Sequence, residues 1–199
     1  MTFDLLTALA TFAFVTVITP GPNNLMLMAS GANFGFRRTV PHMLGITIGF
    51  PSMVFLVGVG VMQVFDLWPL SYTLLKVLSV VYLLYLAWKI ANAAPPEQAA
   101  TEGKPLSFLQ SAAFQWVNPK AWSMSLSAII LYATGRNLEA VLWVAAVFVA
   151  VSLISTTSWT VIGQEMRRFL KSPQRLRIFN RVMAALLVAT LIPVLWPAG

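Results

Sequence analysis

"VITPGPNNLMLM", residues 17–28, sets two prolines, a glycine and two asparagines inside a run that is otherwise apolar from residue 5 to residue 29. Proline has no N–H, and its ring collides with the carbonyl four residues back. A helix running through Pro20 and Pro22 therefore loses its pairing at Thr16 and Ile18. Gly21 lets the chain turn without a Cβ penalty. The expectation is an unwound segment with free carbonyls, followed by the exposed N–H groups of a new half-helix. Whether this is a loop or a site depends on the solvent around it.

Composition decides the solvent. Of 199 residues, 58% are hydrophobic and 10% charged, where a soluble domain carries about 25% charged residues. Six apolar stretches, at about residues 5–29, 40–64, 68–91, 109–133, 138–163 and 179–197, each approach the roughly 20 residues that a helix needs to cross a hydrocarbon core. Nothing alternates at period two, so helices rather than a barrel satisfy the backbone. The fold class is an all-α integral membrane protein with six transmembrane helices. The first stretch carries Asp4 in place of a basic leader and no small-residue cleavage site stands out, so it reads as a span and not as a signal peptide. There are no cysteines, which excludes thiol catalysis, disulfides and cysteine-ligated metal; no metal site and no cofactor is expected.

The net charge of +7 is distributed by connection. Arg37, Arg38, Lys89, Lys104, Arg167, Arg168, Lys171, Arg175, Arg177 and Arg181 are ten of the thirteen basic residues, and all fall in connections one, three and five. The other connections carry Asp66, Arg136 and Glu139. The positive-inside rule places the basic connections in the cytoplasm and both termini outside. The run 167–181 reads as an orientation signal that also touches anionic lipid, with no interleaved stacking residues and hence no nucleic-acid role.

The only long polar connection, "NAAPPEQAATEGKPLS" at residues 92–107, divides the chain into repeats at 1–91 and 108–199, each with three spans. An odd number of spans makes the second repeat enter the membrane from the opposite side, which is the condition for an inverted repeat. Its first span is interrupted as well, by "VNPKAW", and aligning Pro20 on Pro119 leaves three spans after each break. Paired, proline-interrupted helices in corresponding positions are the sequence pointer to a transporter's binding site, although a single proline often only kinks a helix.

Free carbonyls suit an ammonium and a half-helix N-terminus suits a carboxylate, so the breaks offer a socket for a small zwitterion. The candidate substrate-binding residues are Pro20, Gly21, Pro22, Asn23 and Asn24 in the first break and Gln115, Asn118, Pro119 and Lys120 in the second. Lys120 either meets a substrate carboxylate and exchanges a proton, or snorkels back to the headgroups. His42, the single histidine, is either a second proton carrier or an interfacial residue. The hydroxyls of "SLISTTSWT", residues 152–160, either line the cavity or serve helix packing, and Gly45 and Gly49 read as a close helix contact.

These residues resemble the LysE/RhtB family of bacterial amino-acid exporters over essentially the whole chain. "TPGPNN" and "NPKAW" carry the likeness, supported by "FGFRRTVPHMLGITIGF" and "VVYLLYLAWKIANA". "YLAWKIA" and "KPLSFLQSAAFQWVN" look like the branch that exports cysteine and O-acetylserine. Ser79 and Ala87 depart from glycines common in the family. The resemblance implies an inner-membrane secondary exporter of amino acids, coupled to an ion gradient by proton antiport. No GxxxxGK[ST] occurs, so ATP is not hydrolysed by this chain. Alternating access would come from rocking one repeat against the other. The rival readings are an intramembrane enzyme, for which only serine with Lys120 is on hand, and a channel or passive subunit, which should show polar rings over many spans. The cargo and the oligomeric state stay open, a homodimer included.

Overall fold

The computed structural model describes residues 2–61, 67–68, 70–93, 103–133, 137–170 and 172–195. Asp66, Arg136, Lys171 and the middle of the expected linker, residues 94–102, lie outside the described residues.

Among those described, regular structure is helical throughout. Helix α1 spans Phe3–Ile18 and α2 spans Pro22–Phe34. Helix α3 spans Phe36–Leu56 and runs on through a π turn, Val57–Val61. Helix α4 is Leu70–Ala91. A short helix α5, Phe108–Phe114, passes through a 3-10 turn, Gln115–Val117, into α6, Pro119–Tyr132. Helices α7, Leu138–Met166, α8, Pro173–Ala189, and α9, Ile192–Leu195, complete the chain.

Among the described residues, three helical stretches are long and apolar enough to cross a membrane: Phe36–Gly60, Thr73–Ala91 and Leu138–Met166. The pair α1 and α2, bent by 55° at the break, makes a fourth. Among the described residues, no helix in the stretches at 109–133 and 179–197 reaches that standard. The first is divided between α5 and α6. The second is reached by a helix that starts earlier, at Pro173, and carries Arg175, Arg177, Asn180 and Arg181 in its opening turns.

Helix α7 is the central post, with α1, α2 and α3 laid against it. Its contact with α2 is backbone on backbone: a Cβ on Gly31 would run into the Thr160 carbonyl, and one on Gly163 into the carbonyl of Met28. Gly45 and Gly49 do the same for α3, bringing it onto Phe108, Ser111 and Ala112 of α5. The glycine pair is thus a helix contact, as the sequence suggests. Helix α8 rests on α4 and α2, tied by a reciprocal amide pair in which Asn33 donates to Asn180 at 2.8 Å and Asn180 returns the bond at 3.0 Å. Both residues are buried, and such interhelical bonds contribute about 0.6–2 kcal/mol each in a membrane.

The apolar side chains sort by face. Phe50, Phe148, Leu9 and Met53 pack inside, Phe50 edge-on to Phe148 with ring centres 5.2 Å apart. Ile48, Val81, Trp88, Ile130 and Ile154 point outward and are exposed, which is the inverse of a water-soluble surface and matches a lipid one.

Connections one, three and five meet at one end of the bundle. Arg38 donates to the Gly103 carbonyl at 2.6 Å, and a cavity there is walled by both Lys89 and Lys104. Arg167 lies close beside Gly35. Gly35 makes the turn between α2 and α3 at φ 80° and ψ 170°, a conformation open to glycine alone.

Candidate functional site

Helix α1 stops at Ile18 because Pro20 and Pro22 cannot extend it, and Thr19 leaves in an extended conformation. Pro22 takes the first position of α2, where its missing N–H costs nothing. Pro119 takes the same position in α6. By their place in the helix, Pro22 and Pro119 correspond. The sequence alignment pairs Pro20, rather than Pro22, with Pro119.

The carbonyls of the first break are not free, and this corrects the sequence expectation. Asn24 Nδ2 donates to Val17 O at 2.7 Å and to Thr19 O at 2.9 Å. Ser155 Oγ reaches Val17 O at 3.2 Å, and the Trp159 indole N–H donates to Ile18 O at 3.0 Å. Lys120 Nζ donates to Thr19 O at 2.9 Å, to Thr19 Oγ1 at 3.0 Å, and more distantly to Pro20 O at 3.5 Å. Backbone exposed by a break at membrane depth must be satisfied from somewhere, and here side chains of α2, α6 and α7 do it.

Lys120 accordingly does not snorkel to the basic end. It crosses from the second break to the first. Gly21 is what lets it through: its backbone is fully extended, at φ −173°, so no turn requires glycine. A Cβ there would lie 2.7 Å from Lys120 Cδ. The role assigned from sequence, freedom to turn, gives way to room for a neighbouring side chain.

A second link joins the breaks. Asn23 Nδ2 donates to Gln115 Oε1 at 2.9 Å, and Gln115 Nε2 donates back to Asn23 Oδ1 at 3.1 Å. Gln115 is buried and also donates to Ser111 O at 2.8 Å. Asn118, buried as well, turns its Oδ1 onto the Lys120 N–H at 3.2 Å and so caps α6. No side chain caps α2, which leaves its N-terminus as the end better suited to an anion.

All nine candidate residues thus lie at or between the two breaks. Six of the lining residues, Gly21, Asn23, Asn24, Asn118, Lys120 and Ser155, surround a cavity of about 20 Å³. That is space for about one water molecule, so the socket is closed. A roomier cavity, about 280 Å³, lies at the basic end, walled by Ser30, Asn33, His42, Lys89 and Lys104 among others. The polar chemistry concentrates at the small cavity; the 280 Å³ cavity, and a more open groove of about 710 Å³ along Thr7, Thr11 and Tyr132, offer the room.

His42 lines the larger cavity at the basic end. It is 2% exposed, and neither ring nitrogen has a hydrogen-bond partner. The hydroxyls of the fifth apolar stretch divide their work: Ser152, Ser155 and Thr156 line the small cavity, while Thr160 bonds back to the Thr156 carbonyl at 2.7 Å. Sequence reasoning missed Thr19 and Trp159. The signal for Trp159 was an indole N–H at membrane depth, which must find an acceptor. Thr19 carried only its place beside the proline.

Two interrupted helices, cross-linked by polar side chains inside an apolar bundle, define a multi-pass membrane protein of the transporter class. The chain belongs to the LysE type translocator family, which it matches over residues 14–191. It is 34% identical over 194 residues to the cysteine/O-acetylserine efflux proteins of Escherichia coli and Shigella sonnei, covering 94% of this chain and 96% of each relative. Membership makes it a translocator and not an enzyme. No solved structure matches it.

Proposed function

We propose that this chain exports an amino acid or close derivative from the cytoplasm, binding it where the two helix breaks meet. The observation that carries the reading is the mutual engagement of the breaks, with Lys120 on Thr19 and Gln115 on Asn23. Charged and amide groups are expensive at membrane depth and mark substrate pathways there. A zwitterion matches the local chemistry: acceptors at the first break for its ammonium, and the uncapped α2 N-terminus with Lys120 for its carboxylate. The relatives' names, cysteine and O-acetylserine efflux, point to cargo of that size and charge.

In this reading the six apolar stretches are six spans in two inverted repeats, 1–91 and 108–199, joined by a cytoplasmic linker at 92–107. The common restart of α2 and α6 on a proline supports it. The basic end faces the cytoplasm of a bacterial inner membrane, both termini lie outside, and the 280 Å³ cavity is the entry. The near-absence of space at the breaks describes a closed carrier. Rocking the repeats opens the breaks to each side in turn, and proton antiport supplies the energy, with Lys120 and His42 as the candidate carriers.

Counterflow in proteoliposomes tests this. Vesicles preloaded with unlabelled L-cysteine under reducing conditions, or with O-acetyl-L-serine, should transiently accumulate labelled substrate, and an imposed pH gradient should drive net uphill movement. Equilibration without overshoot would mean a pore, and no movement of either compound would remove the cargo assignment.

A further inference from the structure

We propose that the carbonyl oxygens of Thr19 and Pro20, with the Thr19 hydroxyl, form a subsite for a primary ammonium, and that Lys120 occupies it whenever the carrier is empty. This rests on the exporter reading and adds to it the identity of the amine subsite and a reason for selectivity.

The acceptors at the first break fall into two groups. Val17 O and Ile18 O are held by Asn24, Ser155 and Trp159, on helices packed against the break. The Thr19 hydroxyl and the Pro20 carbonyl receive their bonds from a lysine ammonium at the end of a flexible stem, and Thr19 O shares that ammonium with Asn24. Three oxygens around one –NH₃⁺ is the coordination that an amino acid's own ammonium would seek, since it has three N–H bonds to donate. Thr19 and Pro20 are exposed and not packed beneath another helix, so once the carrier opens an incoming amine reaches them without unpacking a helix. Lys120 also lines the adjoining 20 Å³ cavity together with Asn24 and Asn118. When displaced, its ammonium has that polar space to enter.

The exchange separates substrates by charge pattern. A zwitterion takes the oxygens with its ammonium and offers its carboxylate to the ammonium it has displaced, so both cations remain paired. A plain amine displaces Lys120 and gives it nothing in return. Because the lysine is tethered, it competes at an effective concentration in roughly the millimolar range. Amines without a carboxylate are thereby rejected by a competitor built into the wall, a form of specificity obtained by penalising the wrong ligand. Gly21 is part of the device, being the residue whose missing Cβ gives the lysine stem its path.

Binding of L-cysteine and of cysteamine, its decarboxylated form, to the purified protein decides the matter. The unmutated protein should hold L-cysteine and bind cysteamine weakly. In Lys120→Met, cysteamine should bind about tenfold more tightly, while L-cysteine weakens because its carboxylate has lost a partner. Equal cysteamine affinity in both proteins would overturn the proposal. Lys120→Gln repeats the comparison should the methionine variant not fold. In the unmutated protein, saturating cysteamine should shift the ¹⁵N resonance of the Lys120 side chain, and amine-blocked N-acetylcysteamine should not. A resonance unmoved by bound cysteamine would also overturn it. Failure of L-cysteine counterflow would instead sink the exporter reading and leave the cysteamine comparison legible.

Discussion

Glycine serves opposite purposes at the two ends of α2, Gly21 and Gly35, and the difference is measurable. Gly21 has an extended backbone that any residue adopts, but its Cβ position is filled by Lys120. Gly35 has a backbone that other residues strain to adopt, with a Cβ position that touches only the tips of Arg167 and Gln164. Gly21→Ala should therefore leave the melting temperature in detergent close to that of the parent and lower the exchange rate about tenfold, because it displaces the lysine. Gly35→Ala should cost about 1–3 kcal/mol of stability while the folded fraction still exchanges substrate. The reverse pattern, an unstable Gly21→Ala with normal exchange per folded molecule, would contradict the assignment. Proline chemistry is similarly local, which is why both interruptions were legible in the sequence. Which proline reopens the helix was not, since Pro20 and Pro22 break it equally and only the observed restart separates them.

Between helices, close contact is set by the absence of side chains. Gly163 on α7 and Gly31 on α2 press backbone on backbone, against the Met28 and Thr160 carbonyls respectively. Helix pairs in lipid gain little from apolar burial and associate through such close packing. Gly163→Val should push the two helices apart and cost at least about 1–3 kcal/mol, read as a lower melting temperature and a smaller monodisperse fraction on size exclusion. Unchanged stability would mean that the α2–α7 contact does not hold the bundle together. The GxxxG spacing of Gly45 and Gly49 announced one such contact. Gly31 also has a glycine four residues on, but that partner, Gly35, ends the helix at a turn, and Gly163 has none; neither shows that its complement is a backbone more than a hundred residues away in the chain.

For the protein as a whole, the arrangement of charges makes a prediction about sidedness. The chain has no cysteine, so single cysteines report without background. A cysteine at Lys104 or Arg177 should be protected from a membrane-impermeant thiol reagent in intact cells and labelled after permeabilisation. A cysteine at Thr2 or Asn137 should be labelled at once. Labelling of Lys104→Cys in intact cells, or protection of Thr2→Cys, would refute the inverted-repeat topology with both termini outside. The six apolar stretches were legible from composition, yet the structure supports three spans outright and a fourth as a bent pair. The difference lies in particular residues: Pro119 divides the fourth stretch, and Arg175, Arg177 and Arg181 open the helix that leads into the sixth.

The solvent, the helical class, the two interruptions and the family resemblance can all be read from the order of residues, because each follows from local chemistry: too few charges for water, too few N–H groups at the prolines, two short motifs at a given spacing. What the interruptions hold emerges only once the chain is folded. A carbonyl released by proline carries no mark of the group that will satisfy it. That group came from across the fold, from Asn24, Trp159 and Lys120, and hydrogen bonding at membrane depth depends on proximity in space, which the order of residues does not state.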